Sequence, residues 1–238
     1  FYHRTELPDP NKGFSSNTSF IYYNDSASKI GSFSVQNRQS ITYDEMPQNL
    51  RDAVVSAENR TFWSDPGISV KGMSRAAFSV LRGGDVQGGS TITQQYIKVL
   101  YLSQERTMQR KLKELVLADK MGRKVPKEDI LAGYLNTIYF GRGAYGVQAA
   151  ARAYFNIDAK DLDLRQAAVL AAVLNNPTLF DPSDGPAARE RLLGRYRYVL
   201  DGMLEMGRIS QNDHDAASHA LPDFPDAVSY THLTLPTT

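Results

Sequence analysis

The sequence contains no cysteine among its 238 residues. Disulfide bonds and thiolate chemistry are therefore excluded, and the composition fits a cytosolic protein as well as an exported one. No hydrophobic run approaches the length of a membrane span, and no signal peptide is recognisable. The chain begins at Phe1 rather than at a methionine, which favours a fragment whose upstream membrane anchor is missing.

The formal net charge is only +1, so no overall field attracts nucleic acid. The charge is nevertheless unevenly distributed. Residues 106–127 contain eight lysine or arginine residues and only two acidic ones, Glu114 and Asp119. Such a basic block is usually a solvated helix face, but it also suits phosphate groups or an anionic membrane surface. Residues 68–82 are amphipathic, which fits a core-facing helix and a membrane-surface element equally well.

Hydrophobic periodicity predicts a mainly α-helical domain preceded by a small β-hairpin. Residues 19–35 alternate as strands do, around turn-forming residues 24–26. From Pro47 onwards apolar residues recur at helical spacing, and no internal repeat is visible. One helix is expected to begin with a capping box of Asp163 and Gln166. The last helix, over about 187–206, is expected to have Gly207 as its C-cap and to bury Leu192, Tyr196, Val199, Leu200 and Met203. The predicted divisions are a linker and hairpin over 1–44, a helical domain over 45–207, a linker over 208–227 and a tail over 228–238. The tail, VSYTHLTLPTT, continues no earlier pattern and is interpreted as non-native.

The stretch from Gly88 to Lys98 is the most informative motif. Two glycines are followed at once by a helix start, and Thr91 and Gln94 have the spacing of a capping box. Thr91, Gln95 and Lys98 follow one another on a single helix face. A hydroxyl, an amide and a cation beside a helix N-terminus form a candidate cradle for an oxyanion. The alternative is a capped surface helix with one solvated lysine.

Two buried stripes are predicted for the helices on either side of residue 105. The first consists of Ile92, Tyr96, Val99 and Leu100, and the second of Met108, Leu112, Leu115 and Val116. In the second helix Arg110 and Lys111 lie four and three residues before Glu114. These charges are either surface ion pairs, which add little stability, or a clamp for a polyanion with a carboxylate inside it.

Glu58 continues the apolar line of Leu50 and Val54 and therefore points toward the core. A carboxylate held among apolar groups has a raised pKa, which is useful in a general base. Phe62 and Trp63 follow closely and could supply the apolar surroundings. The simpler interpretation is a carboxylate at a helix end that turns out to solvent.

Taken in order, these motifs resemble the family 51 glycosyltransferases, the peptidoglycan polymerase domains of class A penicillin-binding proteins and of monofunctional transglycosylases. The resemblance covers roughly residues 45–205. Its first motif is Glu58-Asn59-Arg60-Thr61-Phe62, which is similar to the family's E-D-x-x-F, and its second is the stretch from Gly88 to Lys98. The third is the R-K-x-x-E of residues 110–114, and the fourth is the segment 127–136, which ends in Tyr134-Leu135-Asn136. A fifth and weaker motif is Arg197-Tyr198 ahead of Val199-Leu200.

The resemblance implies a lysozyme-like helical fold and the polymerisation of lipid II. Glu58 would be the general base that takes the proton of the acceptor 4-hydroxyl, whose oxygen attacks the anomeric carbon with inversion and releases undecaprenyl pyrophosphate. Lys98, Arg110 and Lys111 would neutralise this leaving group. Glu114 would orient that cluster or hold a divalent ion, Mg²⁺ or Mn²⁺, and no other cofactor is implied. The other substrate-binding positions are Phe62, Ser90, Thr91, Gln94, Gln95 and Asn136.

The implied partners are lipid II, the growing glycan strand and the bacterial membrane, at whose extracytoplasmic face a missing N-terminal transmembrane helix would anchor the protein. The class A resemblance also favours a C-terminal transpeptidase domain in the whole protein. Four positions depart from the family's usual residues: Asn59 replaces aspartate, Asp65 histidine, Val99 asparagine and Ala132 glutamate. They bear on acceptor contacts and metal dependence rather than on the reaction class.

Two other functions compete with this interpretation. In a lysozyme-like hydrolase Glu58 would act as general acid and cleave glycan, but a neutral glycosidic leaving group needs no cationic clamp. A non-catalytic scaffold would bind lipid II through residues 68–82 and the basic helix, but the presence of both Glu58 and Glu114 argues against it.

Overall fold

The computed structural model describes residues 18–22, 29–34, 40–68, 90–101 and 108–225 of the chain. Several predictions lie outside these residues: the amphipathic stretch 68–82 beyond Ile68, the glycines at 88 and 89, and the tail over 228–238. Arg110 belongs to a described helix, but its side chain lies outside the described part. None of the described helices combines the length with the apolar character that crossing a membrane requires.

The prediction of a mainly α-helical protein with a small hairpin is confirmed. In the hairpin, β1 (Thr18–Tyr22) and β2 (Lys29–Ser34) are antiparallel, with Thr18 opposite Ser34. The helices of the described residues are α1 (Gln48–Glu58), α2 (Ile92–Tyr101), α3 (Met108–Lys124), α4 (Lys127–Thr137), α5 (Val147–Phe155), α6 (Leu164–Val173), α7 (Pro186–Glu205) and α8 (Gln211–Ser218). Short 3₁₀ turns occur at Tyr43–Glu45, Ala159–Asp161 and Pro182–Asp184.

Helices α1, α6 and α7 pack against one another and form the centre of the core. The residues of α6 from Ala167 to Val173 are all buried, as expected of a helix that is apolar on every side. Its start is the predicted capping box of Asp163 and Gln166. The predicted inward face of α7 is also confirmed, since Leu192, Tyr196, Val199, Leu200 and Met203 are all buried.

The predicted stripe of α3 does not match the buried face, because the helix is rotated relative to it: Leu115 and Val116 are only half-buried, and the side chain of Met108 lies outside the described part. Leu112 is 53% exposed, whereas the buried positions are Glu114, Leu117, Ala118, Lys120 and Met121. Gly122 lies against Pro66, so close that a Cβ atom on it would stand 2.3 Å from the Pro66 carbonyl oxygen. This contact turns the face that contains Glu114 inward. In α2 the predicted stripe is confirmed at Ile92 and Tyr96, but Val99 is exposed and Ile97 is buried instead.

The interval 208–227, predicted as a linker, instead contains α8. Helix α7 ends at Glu205, and the predicted capping residue Gly207 follows shortly after it. The φ of +66° at Gly207 allows the N–H of Arg208 to reach the carbonyl of Met203. Ser210 and Asp213 then form a capping box at the start of α8. The S-x-x-D spacing was the available signal, but with a single buried residue in the helix the hydrophobic pattern is too short to reveal it.

Arg142 fastens the glycine-rich loop over 141–146 to the segment that follows α6. Its Nε and Nη2 atoms donate to the Asp181 carboxylate at 3.0 and 2.6 Å, and its guanidinium lies 4.2 Å from the centre of the Tyr154 ring. Partial burial raises the pKa of Asp181, but hydrogen bonds from Arg142 and Ser183 outweigh this and lower the pKa from 3.8 to about 2.

Asp181→Asn is therefore expected to lower the thermal unfolding midpoint at neutral pH and to have a much smaller effect near pH 2. A carboxyl whose pKa is lower in the folded state stabilises the protein above its ordinary pKa, and this contribution is lost as the pH falls through the folded value. The measurement is thermal unfolding across this pH range, with exposed Asp161→Asn as the control. A difference between wild type and Asp181→Asn that does not vary with pH would contradict the assignment.

Candidate active site

Glu58 is the last residue of α1 and is turned toward the interior, as its spacing predicts. Its side chain is 10% exposed. Burial raises the pKa of Glu58, while a hydrogen bond from Gln95 and the positive charge of Arg195 oppose this effect. Its two carboxylate oxygens differ: Oε2 accepts a hydrogen bond, whereas Oε1 is buried and accepts none from the described residues.

The groups around Glu58 come from three other helices. Gln95 of α2 donates from Nε2 to Glu58 Oε2 at 2.8 Å, and the Tyr134 hydroxyl of α4 donates to Gln95 Oε1 at 2.9 Å. Tyr134 is fully buried, and both this burial and the negative charge of Glu58 raise the pKa of its phenol well above the ordinary value. A carboxylate, an amide and a phenol therefore form one hydrogen-bonded chain.

Arg195 of α7 is a site residue that the sequence reasoning missed. Its Nη2 atom lies 3.6 Å from Glu58 Oε1 and donates to the Ala57 carbonyl at 3.1 Å. The Arg195 guanidinium lies 4.4 Å from the centre of the Tyr198 ring. The guanidinium of Arg60 lies 5.1 Å from the centre of the same ring. The only available signal was its place in the predicted α7 helix, next to the buried stripe.

The predicted capping box at the start of α2 is confirmed. Its two side chains, Thr91 and Gln94, are both predicted substrate-binding residues. The Thr91 hydroxyl accepts from the N–H of Gln94 at 3.1 Å and donates to the Gly67 carbonyl at 2.6 Å, while Gln94 Oε1 accepts from the N–H of Thr91 at 2.8 Å. Both side chains are buried.

The predicted three-group cradle is not arranged as expected. The Gln95 amide is turned toward Glu58, and the Thr91 hydroxyl is engaged inside the protein, so Lys98 is the member of the three that is exposed to solvent. Ser90, just before the helix, is exposed as well. Contacts of these groups with a substrate stay predictions.

In α3, Glu114 is buried and forms an ion pair with Lys111, whose side chain is 45% exposed. The buried Glu114 carboxylate thus binds the ammonium group of Lys111, a lysine whose side chain is partly open to solvent. Because its carboxylate is engaged by a cation, it is a poor ligand for a divalent ion. In the part of the chain that the structure describes, no three His, Cys, Asp or Glu side chains are grouped closely enough to hold a metal. The described residues therefore do not fit a site for Mg²⁺ or Mn²⁺ held by the protein alone.

Two of the departures from the family pattern are hydrogen-bonded to each other. Asn59 Nδ2 donates to Asp65 Oδ2 at 2.8 Å, and Lys127 Nζ lies 3.1 Å from Asp65 Oδ1. Lys127 also lies 4.7 Å from the centre of the Phe62 ring, which packs edge-on against Trp63. Phe62 is fully buried, so the structure assigns it to the packing of the loop after α1. A direct contact of Phe62 with substrate stays a prediction.

The side-chain amide of Asn136 in α4 is hydrogen-bonded to the segment that precedes α1. Its Nδ2 donates to the Ile41 carbonyl at 2.9 Å, and its Oδ1 accepts from the Ile41 N–H at 3.1 Å. The amide therefore fastens this segment to α4 much as a strand partner would. A substrate contact through Asn136 would have to use its second amide hydrogen or the second lone pair of its amide oxygen.

Comparison of the sequence with known proteins assigns the chain to a family. A family model described as Transglycosylase matches residues 25–204. Penicillin-binding protein 1A of Mycolicibacterium smegmatis is 46% identical over 185 residues, which are 76% of this chain and 23% of that protein. Penicillin-binding protein 1A of Aquifex aeolicus is 41% identical over 214 residues, 89% of this chain and 29% of that protein. Penicillin-binding protein 1F of Bacillus subtilis is 37% identical over 186 residues, which are 78% of this chain and 26% of that protein.

The chain thus spans about a quarter of the length of these curated relatives. A crystal structure of penicillin-binding protein 1A from Haemophilus influenzae aligns with 88% of this chain and 21% of its own, at a TM-score of 0.49 and 22% identity. The family model covers well over half of the chain. The chain therefore belongs to the transglycosylase family.

Proposed function

We propose that this chain is the glycosyl-transferring part of a peptidoglycan polymerase and that Glu58 is its general base. The donor is a growing glycan on undecaprenyl pyrophosphate, the acceptor is lipid II, and the product is a β-1,4-linked strand. The observation that carries the proposal is the asymmetry of the Glu58 carboxylate. Gln95 holds Oε2 in place, while buried Oε1 accepts no hydrogen bond from the described residues and is the oxygen proposed to take the proton.

The reaction follows from this arrangement. Ionised Glu58 removes the proton from the 4-hydroxyl of the acceptor through Oε1. The resulting oxygen nucleophile attacks the anomeric carbon of the donor from the face opposite the leaving group, so the configuration changes from α to β. The bond to the pyrophosphate breaks at the same carbon, and undecaprenyl pyrophosphate departs with the electron pair. Glu58 then returns its proton to solvent.

Charge on the leaving pyrophosphate needs cations, and α2 and α3, which pack against each other, supply them. Lys98 is exposed, and the ammonium group of the partly exposed Lys111 is paired with Glu114. Together with Arg110 these groups are proposed to stabilise the developing negative charge, which is the largest catalytic term in many enzymes. The cations of the chain, rather than a metal held by the protein, carry this role in the proposal.

The proposed partners follow from the substrate. Lipid II resides in a membrane, so the protein is proposed to work at the extracytoplasmic face of the bacterial cell membrane. The relatives are named penicillin-binding proteins and are much longer than this chain. A transpeptidase domain elsewhere in the whole protein is proposed on that basis.

The test of the proposed function is incubation of the chain with labelled lipid II in detergent, followed by separation of products by length. Long glycan, with one undecaprenyl pyrophosphate released for each new linkage, is the expected result. Shortening of added pre-formed glycan would instead indicate a hydrolase. Binding of lipid II without any turnover would overturn the enzymatic assignment in favour of a scaffold.

A further inference from the structure

We infer that Tyr134 is a positioning residue that orients the Gln95 amide toward Glu58 and thereby favours the ionised form of the general base. The inference rests on the role proposed above for Glu58. It concerns the Tyr134–Gln95–Glu58 chain, in which three helices each contribute one side chain. Neither the family motifs nor the helix-face pattern assigns Tyr134 such a role.

The orientation of the amide depends on the phenol. A glutamine amide has an accepting oxygen at one end and a donating nitrogen at the other. Because the Tyr134 hydroxyl donates to Oε1 at 2.9 Å, the Nε2 atom faces Glu58 Oε2 at 2.8 Å. In the reversed orientation Oε1 would meet the carboxylate oxygen, and that contact is favourable only when Glu58 carries a proton. The direction of the amide and the charge of Glu58 are therefore coupled.

The phenol is well suited to hold this direction. Burial together with the charge of Glu58 raises the pKa of Tyr134 well above its ordinary value, so the hydroxyl keeps its proton at working pH. The fully buried side chain has no surface with which to touch a substrate. Its effect on catalysis must therefore pass through Gln95.

Glu58 needs such a donor because its surroundings disfavour charge. Burial raises the pKa of Glu58, and a general base is useful only in its ionised form. Within the described residues, the groups that face it are the Gln95 amide of α2, the Tyr134 phenol of α4 and the Arg195 guanidinium of α7. Gln95 and Arg195 lower the pKa of Glu58 and so oppose the effect of burial. Tyr134 keeps the Gln95 amide in the orientation that has this effect.

The inference also assigns Gln95 a different task from the resemblance, which implies a contact with substrate. The amide oxygen and one amide hydrogen are already engaged, by Tyr134 and by Glu58. A substrate contact would have to use the second amide hydrogen or the second lone pair of the amide oxygen. Gln95 is thus placed as the connection between a buried phenol and the base.

The decisive variant is Tyr134→Phe, which removes one hydroxyl and leaves the ring. Tyr154→Phe is the matched control, because the Tyr154 side chain is equally buried and its hydroxyl donates to the Phe140 carbonyl at 2.8 Å, outside this chain of hydrogen bonds. The first readout is the titration of the ¹³C-labelled glutamate carboxyls by NMR in the full chain. The Glu58 signal is identified by its loss in Glu58→Gln.

In Tyr134→Phe the titration midpoint of Glu58 is expected to rise by about one pH unit, the typical scale of such environmental effects, and in Tyr154→Phe it is expected to stay unchanged. An unchanged midpoint in Tyr134→Phe would overturn the inference. Should that variant fail to fold, Gln95→Leu tests the second bond of the same chain, with the same rise expected and an unchanged midpoint contradicting it.

The second readout is the pH profile of lipid II polymerisation. The acidic limb of kcat/KM is expected to move upward by about one pH unit in Tyr134→Phe, a loss of about tenfold on that limb, with KM unchanged at the optimum. A profile that superimposes on wild type would contradict the inference. If wild type does not polymerise lipid II while the NMR midpoint still rises, the proposed function fails and the orienting role of Tyr134 stands.

Discussion

Glu58→Gln is expected to lower the rate of lipid II polymerisation by about 10²–10⁴-fold, the range that a positioned general base contributes. The amide has nearly the same shape and can still accept the hydrogen bond from Gln95, but it cannot take a proton from the acceptor hydroxyl. The rate is measured under single-turnover conditions with saturating lipid II, so that a change in binding does not contribute.

The control for this variant is Glu190→Gln, which removes an exposed carboxylate on α7. It is expected to retain the wild-type rate. Thermal unfolding of Glu58→Gln is expected to show an intact fold, because the substitution replaces a buried charge with a neutral group of equal volume. If a well-folded Glu58→Gln protein kept more than about a tenth of the wild-type rate, Glu58 would not be the base.

Arg195→Met is expected to reduce the free energy of unfolding by about 3 kcal/mol at neutral pH, the low end of the range for removing one partner of a buried ion pair. The substitution leaves the Glu58 carboxylate buried without its nearby positive charge. It also removes a hydrogen bond to the Ala57 carbonyl at the C-terminal end of α1, where a cation is favourable. Urea denaturation of both proteins measures the difference.

A double-mutant cycle isolates the electrostatic part of this loss. In the Glu58→Gln background no buried charge is left behind, so Arg195→Met is expected to cost at least about 1 kcal/mol less there. The loss should also shrink as the pH falls through the pKa of folded Glu58, which burial raises above the ordinary 4.5, because below it Glu58 carries a proton whether or not Arg195 is present. Additive effects that do not vary with pH would show that Arg195 acts by packing alone.

Arg197→Met is the matched control for that experiment. Arg197 lies on the same helix, is exposed, and donates to the carbonyls of Ser218 at 2.9 Å and His219 at 3.3 Å rather than to any group near Glu58. Its removal is expected to cost about 1–2 kcal/mol, the usual net contribution of two hydrogen bonds. This cost is expected to be the same in the wild-type and Glu58→Gln backgrounds.

Helices α7 and α3 show when the spacing of apolar residues predicts the buried face of a helix and when it does not. In α7 the large apolar residues share one face, so only one way of packing buries them, and the prediction is correct. Helix α3 has apolar residues on more than one face, and each face satisfies the helical period. The close approach of Gly122 to Pro66 selects the face with Glu114, Leu117 and Ala118. The hydrophobic periodicity of α3 cannot predict that contact, because Pro66 lies far from Gly122 in the sequence.

Short-range chemistry is predicted more reliably than side-chain direction. The capping boxes of Thr91–Gln94 and Asp163–Gln166 are present as expected, because both partners lie within one helical turn. Gln95 shows the opposite case. Its place on the helix put it in a row with Thr91 and Lys98, but the packing of α2 on α4 gives its amide oxygen a buried phenol and turns the other end toward Glu58.

By itself, the sequence determined the helical class, the family motifs, the capped helix starts and the identity of Glu58 as the candidate base, since each depends on residues close together in the chain. Only the tertiary structure decided what surrounds that base. Burial at the end of α1, the oriented amide of Gln95, the phenol of Tyr134 and the guanidinium of Arg195 come from four helices. The pKa of Glu58 depends on its distance from these groups and from water, and those distances exist only after the helices have packed.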